Sequence, residues 1–117
     1  MRALAALLVL AASPGWAQDG AWLPRMTAEL RVLDKIRAQP STLEVKVGAS
    51  ATFGTLTIQL RGCVTRPPDQ PADSAAFLDI TNTRANGTAF DGWILANTPA
   101  ISQFEDPIYD LRLVACR

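Results

Sequence analysis

Between Thr42 and Val47 apolar and polar side chains alternate, Leu43, Val45 and Val47 against Thr42, Glu44 and Lys46, and the run stops at Gly48. A period of two puts one side of a chain into a core and the other into water, so this segment predicts a strand and Gly48 a turn. The same alternation runs from Thr52 to Val64, where Leu56, Ile58, Leu60 and Val64 interleave with Thr55, Thr57, Gln59 and Arg61. Three more compact apolar or alternating runs follow, Ala75–Thr81, Phe90–Ala96 and Ile108–Cys116. They are separated by Thr83-Arg84-Ala85-Asn86-Gly87, which contains the hairpin-type dipeptide Asn86-Gly87, and by Asn97-Thr98-Pro99. Residues Thr27–Ala38 fit two templates: Leu30, Leu33 and Ile36 share a helix face, whereas Leu30 and Val32 followed by Asp34 and Ile36 fit a strand. The β character of the remainder favours the strand. Pro67-Pro68-Asp69-Gln70-Pro71 excludes a central strand and predicts a stiff extended loop, and Pro99–Glu105 has room for one helical turn.

The first seventeen residues stand outside this pattern. Arg2 is followed by the unbroken apolar run Ala3–Ala12, then by Ser13-Pro14-Gly15, with Gly15 and Ala17 at the −3 and −1 positions of a cut before Gln18. Charge, apolar run and small-residue cleavage site in that order read as a signal peptide. The run is shorter than the ~20 residues of a bilayer-spanning helix. No cysteine follows it to carry a lipid anchor. The expected organisation is a signal peptide over 1–17, a flexible leader over 18–28 and a single β domain over 29–117, in the periplasm and without a transmembrane segment.

Export gives the two cysteines a meaning. In an oxidising compartment Cys63 and Cys116 have one possible intramolecular pairing, a disulfide. A bond closing so long a loop contributes roughly 4 kcal/mol in the chain-entropy treatment. Both cysteines are out of phase with the apolar faces of their strands: Leu56, Ile58 and Leu60 are even and Cys63 odd, Leu111 and Leu113 odd and Cys116 even. The pair therefore sits on the less buried side or at a bulge, and a bulge at Gly62 would reverse the facing without removing the bridge.

Composition narrows the chemistry. The chain has 117 residues, equal numbers of basic and acidic groups (11 each) and no histidine. That length allows one domain, and the missing histidine excludes a Ser-His-Asp triad, a Cys-His pair and any histidine-ligated zinc. Balanced charge argues against a nucleic-acid partner. No DxDxDG pattern predicts calcium, and Ser41, Ser50, Ser74 and Ser102 lack a GxSxG context. No cofactor or metal is expected.

Two sets of side chains remain. Glu105, Asp106 and Asp110 form an acidic cluster, and two of them at about 5 to 10 Å could serve glycoside hydrolysis, although such residues more often cap turns. Phe90, Trp93, Phe104 and Tyr109 gather near the last two strands, where they fill a small core or present a platform to a sugar or protein. Trp93 and Tyr109 are the candidates for a polar tip at the surface. Trp22, in the leader, docks either on the domain or on a partner.

Leu33-Asp34-Lys35, Leu43–Gly48, Phe53–Ile58, Cys63 through Pro67-Pro68, Ala75–Leu78, Gly92-Trp93, Asp106–Asp110 and Cys116 together resemble the DUF2155 family of exported alphaproteobacterial proteins. The resemblance covers nearly all of the chain beyond the signal peptide. It implies an envelope location and a cysteine pair, and supplies no reaction. Where related sequences carry a histidine and proline ahead of the tyrosine, this chain has Asp106-Pro107.

The expectation is an all-β fold, a small antiparallel sandwich or partly open barrel of about six strands, stapled by Cys63–Cys116. Its expected role is that of a non-catalytic binding or envelope-assembly accessory protein, acting through Trp93, Tyr109 and the Pro67-Pro68 loop on an envelope protein or cell-wall glycan. The alternative is an envelope glycan-binding protein or hydrolase using Asp106 and Asp110.

Overall fold

The computed structural model describes residues 21–98 and 104–117. The signal peptide over 1–17 lies outside the described residues, and the helical turn expected in Pro99–Glu105 falls mostly outside them. Among the described residues every regular element is a strand: β1 (Leu23–Pro24), β2 (Thr27–Asp34), β3 (Gln39–Lys46), β4 (Ser50–Phe53), β5 (Leu56–Thr65), β6 (Ser74–Asn82), β7 (Ala89–Leu95) and β8 (Tyr109–Cys116). No helix in them is long and apolar enough to cross a membrane.

All pairings are antiparallel and make two sheets. The larger runs β1-β5-β6-β7 with β4 also on β5, and the smaller runs β3-β2-β8. The two sheets face each other as an open sandwich, with β8 lying chiefly over β6. Leu56, Ile58, Leu60, Leu78, Ile80 and Ile94 point inward from the larger sheet, against Leu30, Val32, Leu111 and Leu113 of the smaller one. Side chains at alternate positions fill this space because each strand buries one face only.

Two details differ from the sequence pattern, and the ambiguous Thr27–Ala38 stretch resolves to the favoured strand over Thr27–Asp34. The run Thr52–Val64 is two strands rather than one, because Gly54 (φ +56°) and Thr55 turn the chain between β4 and β5. Any side chain on Gly54 would strike the Tyr109 hydroxyl, so the turn closes tightly over β8. Thr27–Asp34 is a strand, and Ile36, the third residue of the alternative helix face, is 76% exposed in the following turn. There the Asp34 carboxylate accepts hydrogen bonds from the Ile36 and Arg37 N–H groups, and Ala38 takes the left-handed conformation. The segment assigned to the leader carries β1, paired to β5 through Leu23 opposite Thr65, and the first two residues of β2.

The cysteine phase resolves through a matched pair of bulges. Along β5 the register with β6 shifts between Leu60 and Gly62, leaving Arg61 unpaired, and Cys63 turns inward. Along β8 the register with β2 shifts at Glu29/Leu30, leaving Val114 unpaired, and Cys116 turns inward. Both cysteines are buried, and their disulfide (Cα–Cα 5.7 Å) joins the two sheets across the core.

Candidate functional site

The outer face of the larger sheet carries its exposed aromatic surface. Trp93 on β7 stands opposite Phe77 on β6, their rings edge to face at 5.3 Å. In the next row of that face Leu95, Ala75, Val64 and Pro24 lie side by side across β7, β6, β5 and β1, with Ala75 buried, Leu95 and Val64 half-buried and Pro24 exposed. Trp93 is 44% exposed, and its ring lies over Gly62 of β5, at van der Waals distance from where a Cβ would stand. Arg61 reaches over Phe77 (5.8 Å to the ring centre) and pairs with Asp79 at 3.0 Å. Beyond them Asp79 and Asp91 oppose each other, so the face grades from apolar to acidic along the strands.

The proline loop joins β5 to β6 at the apolar end of this face. Pro67 is half-buried and Pro68 exposed. At its base the Arg66 guanidinium stacks on the Trp22 ring at 3.9 Å, so Trp22 docks on the domain. The Asp73 carboxylate accepts hydrogen bonds from the Asn97 and Ser74 N–H groups, tying the loop to the end of β7.

Tyr109 lies elsewhere. Its side chain is buried between the sheets, packed edge to face on Phe53 (5.9 Å), and its hydroxyl accepts a hydrogen bond from the Thr55 N–H at 3.3 Å. Trp93 faces outward on one sheet and Tyr109 inward on the other, so they do not share a surface.

The two candidate carboxylates line one cleft but are held differently. Asp106 is buried at the start of β8. One oxygen accepts from the Ile108 and Tyr109 N–H groups (2.8 and 3.1 Å), the other from Asn82 Nδ2 (3.0 Å) and the Thr88 hydroxyl. Burial alone would raise its pKa, but these four hydrogen bonds outweigh it and lower the value from 3.8 to about 2. A carboxylate so held is ionised at neutral pH and has no proton for a leaving group. Its chemistry is that of a knot between the β6–β7 connection and β8. Asp110, four residues along, is half-buried, and with Asp106 and Glu105 it lines a cleft of about 860 Å³ between the described edges of β7 and β8. Among the described residues no group of three or more acidic or cysteine side chains is placed to hold a metal ion.

Sequence reasoning missed Phe77 as the partner of Trp93, and Asn82 and Thr88 as the partners of Asp106. The Asn86-Gly87 turn held a signal for the first: folding the flanking runs back on each other brings Phe77 near Trp93.

A family model described as an uncharacterised protein conserved in bacteria, DUF2155, matches residues 28–116. The chain belongs to the DUF2155 family. The match takes in both cysteines, Asp106 and Trp93, and stops short of Trp22. An uncharacterised protein of Rickettsia prowazekii (strain Madrid E), RP359, is 28% identical over 87 residues, covering 72% of this chain. The match spans 56% of that relative's length, little more than half. No solved structure matches.

Proposed function

We propose that this chain is a non-catalytic binding or assembly accessory protein of the cell envelope, acting through the outer face of its larger sheet. The observation that carries this reading is the half-exposed Trp93, braced edge to face on Phe77 and next to an apolar row that runs from Leu95 to Pro24. A rigid aromatic with two side-chain torsions loses little entropy on binding, and such residues dominate interface energetics. The Cys63–Cys116 bond fits an oxidising compartment, in keeping with the signal-peptide pattern. The hydrolase reading that pairs Asp106 with Asp110 is disfavoured, because the Asp106 carboxylate is engaged by four hydrogen bonds.

The test is a photoreactive amino acid placed at Trp93 or, as a control, at the exposed Thr42 of the smaller sheet, in cells exporting the chain. A discrete envelope protein or peptidoglycan fragment crosslinked from position 93 and not from 42 is expected. Equal crosslinking from both positions, or none from 93, defeats the proposal.

A further inference from the structure

Phe77 and Asp79 on β6 are matched, residue for residue, by Trp93 and Asp91 on β7. In each strand an aromatic and a carboxylate stand two positions apart on the outer face, and the register sets Phe77 opposite Trp93 and Asp79 opposite Asp91. Residues two apart in a strand share a face at a spacing of about 7 Å, so one cation can reach both members of a pair.

The pair on β6 is filled by this chain. Arg61, the residue left over at the β5 bulge, holds its guanidinium over the Phe77 ring, 5.8 Å from its centre, and meets the Asp79 carboxylate at 3.0 Å. One cation thereby uses an aromatic ring and a carboxylate together.

The pair on β7 has no such cation. Trp93 and Asp91 are both exposed, and neither lines the cleft beside β8. Among the described residues the remaining ion pairs are those of Arg117 with Glu29 and Glu44, and no hydrogen bond engages the Asp91 carboxylate. Residues 99–103 contain no basic side chain, and residues 1–20 contain one, Arg2, within the signal-peptide pattern. Arg61, Asp79 and Asp91 are the charged residues of the larger sheet's strands, so its outer face carries two carboxylates for one guanidinium. The two carboxylates oppose each other directly, which is unfavourable until a second cation arrives.

We infer that the partner of this face is a polypeptide that sets an arginine side chain against Trp93 and Asp91, as Arg61 is set against Phe77 and Asp79. The inference rests on the reading of this face as a binding surface and names the chemistry it selects. A guanidinium suits the position better than an ammonium, because its flat, weakly hydrated plane stacks on a ring while its N–H fork reaches a carboxylate. A second copy of this chain apposing the same face would bring the same negative excess.

The test titrates the purified, ¹⁵N-labelled chain to millimolar concentration with acetyl-Gly-Arg-Gly-amide, with the same peptide carrying neutral citrulline for arginine, and with chitotetraose. Shifts of the Asp91 to Trp93 amides and of the Trp93 indole N–H are expected with the arginine peptide, at an affinity about tenfold above that of the citrulline peptide. Asp91→Asn should bring the arginine peptide down to the citrulline level without lowering the urea midpoint, since it removes a like-charge opposition. Absence of these shifts, equal affinity for the two peptides, or undiminished binding to Asp91→Asn each overturn the inference. Chitotetraose shifting Trp93 where the arginine peptide does not overturns it too, while leaving the binding face standing; failure of the face itself is read separately, from crosslinking at position 93.

Discussion

Asn82, the last residue of β6, donates its side-chain amide to the Asp106 carboxylate at 3.0 Å, while its own carbonyl oxygen accepts from the Thr55 hydroxyl at 2.7 Å. Through this one side chain the β4–β5 turn, the β6–β7 connection and the start of β8 are joined. The Asp106 pKa of about 2 lies below the ordinary 3.8, so its charged form is favoured by folding. Its contribution is complete above the ordinary value and is lost as pH falls through 3.8 toward 2, on the order of 2 kcal/mol. Urea unfolding of the wild type between pH 6 and 2 should show that fall. Asp106→Asn should remove it and lower stability at pH 7 by ~1–3 kcal/mol, since an amide cannot accept all four donors.

Tyr109 and Gly54 test the same corner by shape. Tyr109→Phe keeps the ring on Phe53 and strands the Thr55 N–H, at a cost of ~1 kcal/mol. Gly54→Ala should cost more than Tyr109→Phe, because the new methyl meets the tyrosine hydroxyl at a backbone conformation that side chains disfavour. Thermal unfolding of the two single variants gives the order. The double variant should recover part of the Gly54→Ala loss.

The disulfide closes 53 positions of chain, so replacing both cysteines by alanine should lower unfolding free energy by up to ~4 kcal/mol. Denaturant titration of the double variant beside the oxidised wild type measures it.

Trp93 and Leu78 separate surface from core. Trp93→Ser loses an exposed edge contact and should cost about 1 kcal/mol. Leu78→Ala, at a fully buried position, should cost ~2–5 kcal/mol. A Trp93→Ser loss as large as that of Leu78→Ala, read by urea denaturation, would mark Trp93 as a packing residue and remove its claim to a binding role.

The strands were legible because their alternation is strong: Leu56, Ile58 and Leu60 point inward as their period requires. The break at Gly54 was not, since Thr55 continues the alternating pattern through the turn and only the Tyr109 hydroxyl above shows why the chain must bend. Asp106 illustrates the limit for sites. An acidic residue before a proline reads as a solvated turn, and nothing local announces that Asn82 and Thr88, distant in sequence, will close around it. Tyr109 and Trp93 are both aromatics on late strands, yet strand parity relative to a sheet that sequence alone does not place sends one inward and the other out.

The bulges at Arg61 and Val114 have a further consequence. In each strand an apolar leucine, Leu60 or Leu113, precedes its cysteine by three positions, and the extra residue is the one left unpaired. Arg61 and Val114 are thus spare lengths of chain: removing either returns its strand to regular pairing with the cysteine still facing inward. A single-residue deletion, which elsewhere in a strand turns every following side chain to the opposite face, is absorbed at these two positions, and each strand can shorten by one without the other while Cys63 and Cys116 still meet.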